Sequence, residues 1–179
     1  MVEYYFDIET HGEGKPDPQK DRIITIQYQK LQLDGKPDGK LRILTEWDYG
    51  SEKAMLEEFR KYFLTEKLFD FVPVGLNLYG YDMICLIKRW NTLLGLNHGI
   101  ELIRDKPVID IKSLLVMMNG GRFVGHNELL GKDVSGSMVR TWYAEGKRGE
   151  ILKYIENEAK NFITKYQILK REVAKIRLA

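Results

Sequence analysis

The chain of 179 residues is 44% hydrophobic and 30% charged, with a formal charge of +2, an ordinary globular balance long enough to bury a sizeable core. So mild a charge does not by itself point to a nucleic-acid partner. The lone Cys85 excludes an intramolecular disulfide or a cysteine-built zinc site. No apolar run approaches the roughly 20 residues needed to span a bilayer. The N-terminus, Met1-Val2-Glu3-Tyr4-Tyr5-Phe6-Asp7, carries acids where a secretory signal carries basic residues. No membrane partner and a cytoplasmic location are expected.

Residues 4–9 form an aromatic and β-branched run that predicts a strand. Residues 22–33 predict a second, with Ile24, Ile26 and Tyr28 alternating with Thr25, Gln27 and Gln29. Dense turn chemistry at 34–39 leads to a third alternating run at 41–47. Ser51 can cap a helix bearing Met55, Phe59, Tyr62 and Phe63 at helical spacing. A buried-type strand at 71–75 precedes a helix at 81–94, and a short strand at 107–111 leads into a helix ending at Asn119-Gly120-Gly121. Short helices are expected around 127–130 and 138–144. One long helix, about 149–178, closes the chain. Its apolar stripe is Ile151, Ile155, Ala159, Phe162, Tyr166, Leu169, Val173 and Ile176. The order predicts an α/β fold in one domain, 1–179: a mixed sheet made of a three-strand meander, then alternating helices and strands.

Three acidic signals stand out. Asp7 and Glu9, two apart on a strand, share a face opposite Phe6 and Ile8. Paired acids repel unless a positive charge lies between them, and a hard divalent cation suits oxygen ligands. The plain alternative is a solvated strand edge. Asp82 follows a loop that the 71–75 strand delivers to the sheet's end, where open α/β sheets place ligands; it can equally serve the dipole of its helix. Tyr154 and Glu158 lie four apart on one helical face, at the edge of the apolar stripe, which suits a cleft or an exposed surface.

Taken in order, these residues resemble the DEDD superfamily of 3′–5′ exonucleases, and within it the proofreading domain of family B DNA polymerases. Phe6-Asp7-Ile8-Glu9-Thr10 is similar to the acid-x-acid first motif. Asn77 with Tyr81-Asp82 is similar to the second, and Tyr154 with Glu158 to the Tyr-x-x-x-Asp third motif of the tyrosine subclass. Pro18 with Ile23-Ile24, and Val108-Ile109-Asp110 before a helix, extend the likeness over most of the chain. The histidine subclass does not fit: Lys153 stands at its histidine position, and His11, His98 and His126 read as surface or loop residues.

The resemblance implies a ribonuclease H-like fold and hydrolysis of single-stranded DNA, or RNA, from a 3′ end. It implies that Asp7, Glu9, Asp82 and Glu158 hold two divalent cations, Mg²⁺ or Mn²⁺, and that Tyr154 orients the attacking water. Thr10, Asn77 and Tyr81 would contact the terminal nucleotide, and Lys147 and Arg148, in a Gly-flanked basic loop, would contact phosphate. The departure is Glu158, longer by one methylene than the family's Asp. It leaves a second reading open, a nucleic-acid-binding module of impaired activity on the same scaffold. The far end of the stripe, Tyr166 to Ile176, could also pair with a second copy or with another protein.

Overall fold

The computed structural model describes residues 1–130 and 135–175. Its sheet has five strands: β1 (Glu3–His11), β2 (Arg22–Lys30), β3 (Arg42–Thr45), β4 (Val72–Gly75) and β5 (Ile109–Asp110). They lie in the order β3-β2-β1-β4-β5, with β1–β2 and β2–β3 antiparallel and β1–β4 and β4–β5 parallel. The meander expected at the start is present, and the parallel pairs follow because helices cross between the later strands. This is a mixed α/β sheet of the ribonuclease H-like kind, with β1 at its centre.

The helices are α1 (Glu46–Tyr49), α2 (Glu52–Phe63), α3 (Asp82–Leu94), α4 (Ile100–Asp105), α5 (Lys112–Met118), α6 (His126–Leu130), α7 (Ser137–Ala144) and α8 (Arg148–Val173). Ser51 caps α2, its hydroxyl accepting from the Ala54 amide at 3.2 Å. Two short helices depart from expectation. The run at 41–47 stops being a strand at Thr45, whose hydroxyl accepts from the Asp48 amide and caps α1; local capping outcompetes continued alternation there. The other is α4.

Alternation on β1 sorts the core into two layers. Phe6 and Ile8 pack with Ile26, Tyr28, Phe59, Phe63, Phe71 and Trp90 under α2 and α3. Tyr5 packs on the opposite face with Phe162, Tyr166 and Leu169 of α8. On β2 the alternation breaks. Glu9 pairs with Thr25 but Thr10 with Ile23, so Ile24 is an extra residue, a β-bulge. The bulge turns Ile24 away from Ile26 and into a cluster with Val139, Ile151, Tyr154 and Ile155, whereas strict alternation puts Ile24 and Ile26 on one face.

Helix α8 is the longest element, and its stripe is buried from Ile151 to Leu169. At its far half the Tyr166 hydroxyl donates to Glu3 Oε2 at 2.7 Å and Lys170 Nζ to Glu3 Oε1 at 2.6 Å. Tyr166 and Leu169, which the sequence left open either to cover the sheet or to pair with a second copy, pack in the chain's own core. Val173 is exposed, and Ile176 and the expected helix end at 178 lie outside the described residues. No described helix is long and apolar enough to cross a membrane.

Candidate active site

A cleft of about 480 Å³ opens along the α8 side of β1, and Asp7, Glu9, Asp82 and Glu158 line it with Thr10, Asn77 and Tyr81. Carboxylate oxygens of Asp7, Glu9 and Glu158 lie within 4.8 Å of one another. Glu9 and Glu158 are buried and Asp7 is half-buried. Glu158, longer by one methylene than an aspartate, brings an oxygen into this group. Asp82 stands at the first turn of α3, where its Oδ1 accepts from the Ile8 amide at 3.3 Å. Burial, and next the charge of Asp7, hold the Asp82 carboxyl well above the usual range, with Glu158 adding to the effect.

Asp7 and Glu158 are held by neighbours. Gln27 faces Asp7 across the β1–β2 ladder, and its Nε2 donates to Asp7 Oδ2 at 2.7 Å. Gln27 is held in turn by the Thr25 hydroxyl at 3.0 Å, and both residues are fully buried. Tyr154 is hydrogen-bonded to Glu158; burial first, then the charges of Glu9 and Glu158, keep its phenol protonated far above its ordinary range. Tyr154 Oη also lies against Gly136, where an added Cβ would sit 3.3 Å from it. On β1 the Tyr5 phenol is raised as well, by burial and then by Asp7, Glu158 and Glu9.

The loop holding Asn77 is clamped from β5. Asp110 Oδ1 accepts from the Asn77 amide at 2.9 Å and Oδ2 from the Tyr79 amide at 3.1 Å. Asn77 itself takes a left-handed backbone, φ 65°, which asparagine tolerates better than most residues, and its Oδ1 accepts from Lys112 Nζ at 2.8 Å. Tyr81 reaches across the cleft mouth: its hydroxyl shares a 2.6 Å hydrogen bond with Thr10 Oγ1 and donates to Asp21 Oδ2 at 2.6 Å. Arg140 of α7 pairs with the same Asp21 oxygen and donates to the carbonyls of Gly12 and Gly14, pinning the β1–β2 loop over the cleft.

Lys147 and Arg148 lie outside the cleft. Lys147 pairs with Glu145 at 2.7 Å, and the Arg148 guanidinium sits over Trp47, 5.3 Å from the ring centroid. His126, read from sequence as a surface or loop residue, instead lines the cleft from α6. Gln27, Asp21 and Tyr5 went unrecognised in sequence, and Asp110 was read only as part of the Val108-Ile109-Asp110 run before a helix. Of the first three, Gln27 carried a signal, as a polar residue in a strand otherwise rich in β-branched and apolar side chains.

The donor set is chemically one-sided: anionic oxygens, with neither thiolate nor imidazole in the close group. Three carboxylates so close repel strongly, and such oxygens suit a hard divalent cation. The residues present therefore fit the metal expected from the motifs.

No protein-family model and no curated protein sequence matches the chain. Solved structures do. Escherichia coli exonuclease I in complex with a dT13 oligonucleotide superposes with a TM-score of 0.50 at 13% identity, covering 66% of this chain and 29% of that one. Exonuclease I without ligand superposes at 0.52 and 12% identity, covering 69% and 32%. The fold is exonuclease-like. The chain spans about a third of the length of these neighbours, and at such identity the likeness concerns the fold.

Proposed function

We propose that the chain is a metal-dependent 3′–5′ exonuclease acting on single-stranded DNA ends. The observation that carries this reading is the convergence of Asp7, Glu9 and Glu158 oxygens within 4.8 Å, beside Asp82 and Tyr154, in one cleft of an exonuclease-like fold. Asp7, Glu9, Asp82 and Glu158 would hold two divalent cations, Mg²⁺ or Mn²⁺. Bound there, such ions supply an acidified water and a Lewis-acid contact to the leaving oxygen.

The chain's own groups do the rest. Tyr154, kept neutral by its buried anionic surroundings, orients the attacking water through its hydroxyl and does not serve as the base. The water gives up a proton as its oxygen bonds to phosphorus, the bond to the 3′ oxygen of the penultimate nucleotide breaks and that oxygen takes up a proton, and a nucleoside 5′-monophosphate leaves. Thr10, Asn77 and Tyr81, at the cleft mouth, hold the terminal nucleotide. Lys147 and Arg148 stand outside that cleft and take no part in these contacts. The tyrosine-subclass motif order favours the family B proofreading type within the DEDD superfamily.

The alternative, a binding module without hydrolysis, rests on Glu158 in place of Asp. One experiment separates the two: 5′-labelled single-stranded DNA and RNA incubated with Mg²⁺, Mn²⁺ or chelator, beside Asp7→Ala and Glu158→Asp. A ladder shortening from the 3′ end, metal-dependent and absent in Asp7→Ala, supports the exonuclease. Binding without cleavage by the wild-type chain, with cleavage appearing in Glu158→Asp, supports the impaired module.

A further inference from the structure

Tyr5 shares its face of β1 with Asp7 and Glu9, since alternate strand residues point the same way. It is 1% exposed, yet its hydroxyl has no hydrogen-bond partner among the described residues. Its ring rests on Phe162 of α8, centroids 5.0 Å apart. Phe162 lies one helical turn beyond Glu158 on the same face, and Tyr5, Glu158 and Phe162 line the same cleft. Buried hydroxyls are almost always paired, and an exception calls for an explanation.

The other donors at the acids are engaged: Gln27 on Asp7, the Ile8 amide on Asp82, and Tyr154 on Glu158. A carboxylate offers about four lone-pair positions, and a cation uses one or two of them. The outer ones take donors that fix the ligand's orientation, and such donors tune metal affinity. Tyr5 Oη is sealed from solvent, and the anions that act on it are the carboxylates of Asp7, Glu158 and Glu9.

We infer that Tyr5 is a positioning residue of the acid site, its hydroxyl donating to Glu158 when a divalent cation draws the carboxylates together. This inference rests on the metal-dependent reading above. It gives the longer Glu158 a function: the extra methylene lets one carboxylate face the cation and the tyrosine at once. In the metal-free chain the hydroxyl contributes nothing, so its removal is harmless there and felt only on loading.

The test titrates Mn²⁺ into the full chain by calorimetry for wild type, Tyr5→Phe, Glu158→Asp and the double variant, with melting in chelator alongside. Tyr5→Phe is expected to melt in chelator no lower than wild type but to bind Mn²⁺ about 10-fold more weakly. In the Glu158→Asp background Tyr5→Phe is expected to change Mn²⁺ affinity less than 2-fold, because the shorter carboxylate does not reach the hydroxyl. Unchanged Mn²⁺ affinity in Tyr5→Phe, or equal loss in both backgrounds, overturns the inference. If wild type binds Mn²⁺ without cleaving DNA, the exonuclease reading fails while the affinities still decide on Tyr5. If wild type binds no Mn²⁺, both fall.

Discussion

Removing one carboxylate from the acid cluster should stabilise the metal-free protein and abolish its response to metal. Asp7→Asn is the suitable change, since it keeps the shape of the side chain and a partner for Gln27. Asp7, Glu9 and Glu158 oxygens lie within 4.8 Å of one another. At that separation each like-charge pair costs about 0.9 kcal/mol at the dielectric of water and about 3.5 kcal/mol at an effective value of 20. Asp7 is half-buried, so the lower half of that range applies to its two pairs. Against this, the charge-assisted bond from Gln27 weakens to a neutral one, a loss of about 1 kcal/mol. The net expectation is a gain of about 1–3 kcal/mol, or about 2–12 °C in melting temperature for a chain of this size. With Mn²⁺ at about 100 times its Kd, the wild type should gain about 2.7 kcal/mol and the variant almost nothing, so the ranking inverts. Differential scanning fluorimetry in chelator and in Mn²⁺ measures both. An Asp7→Asn protein that melts below wild type in chelator, or that gains as much from Mn²⁺, refutes the electrostatic account of the cluster.

Three further outcomes follow from the same structure. The Asp82 carboxyl is raised by burial and by Asp7, so the folded state holds its proton where the unfolded chain has lost it. Metal-free stability should therefore fall as pH rises above the unfolded value near 4, and chelated melts from pH 5 to 8 should flatten in Asp82→Asn. Lys106 is buried with its Nζ donating to the Phe63 carbonyl, and burial pushes its pKa down to about 8. Here the unfolded chain binds the extra proton, so stability should rise by about 2 kcal/mol between pH 7 and 9.5; urea melts of Lys106→Met lacking that rise relative to wild type would bear this out, and parallel slopes would contradict it. At Gly75 an added Cβ would lie 2.6 Å from both Leu78 Cδ2 and the Phe6 carbonyl. Gly75→Ala should cost about 1–3 kcal/mol through overpacking and shift the strand that carries Asp7; an unchanged melting temperature would show that the backbone yields freely.

Much of the fold was legible because it rests on local period. The helical stripe from Ile151 to Leu169 and the strand run around Phe6 and Ile8 are self-announcing patterns, and Ser51 caps its helix as its position suggests. The strand boundary at Thr45 and the bulge at Ile24 were not legible. Both depend on which hydrogen bonds win in the folded chain, and periodicity carries no record of that competition. The same divide runs through the cleft. Asp7, Glu9, Asp82, Tyr154 and Glu158 were readable as an ordered set, and they line or adjoin one cleft. The role of Gln27 was not, nor were the contacts that Asp110 and Arg140 make, since these depend on what the residues touch across long stretches of chain. Arg140 meets Gly12 and Asp21, and Asp110 meets Asn77. His126 looked like a loop residue because nothing in its neighbourhood ties α6 to the acids.

The double grip on Glu3 sets where the far half of α8 sits against β1. Helix α8 behaves as a beam pinned at two points. One is the pair Tyr154 and Glu158 over the acids, the other Tyr166 and Lys170 on Glu3 at the start of β1. From Glu158 to Lys170 the beam is about 18 Å long, and β1 runs beneath it as the opposite rail. Between the pins Ala159, Phe162 and Ile163 are buried in the core, so the grip on Glu3 adds to a seat that runs the length of the beam.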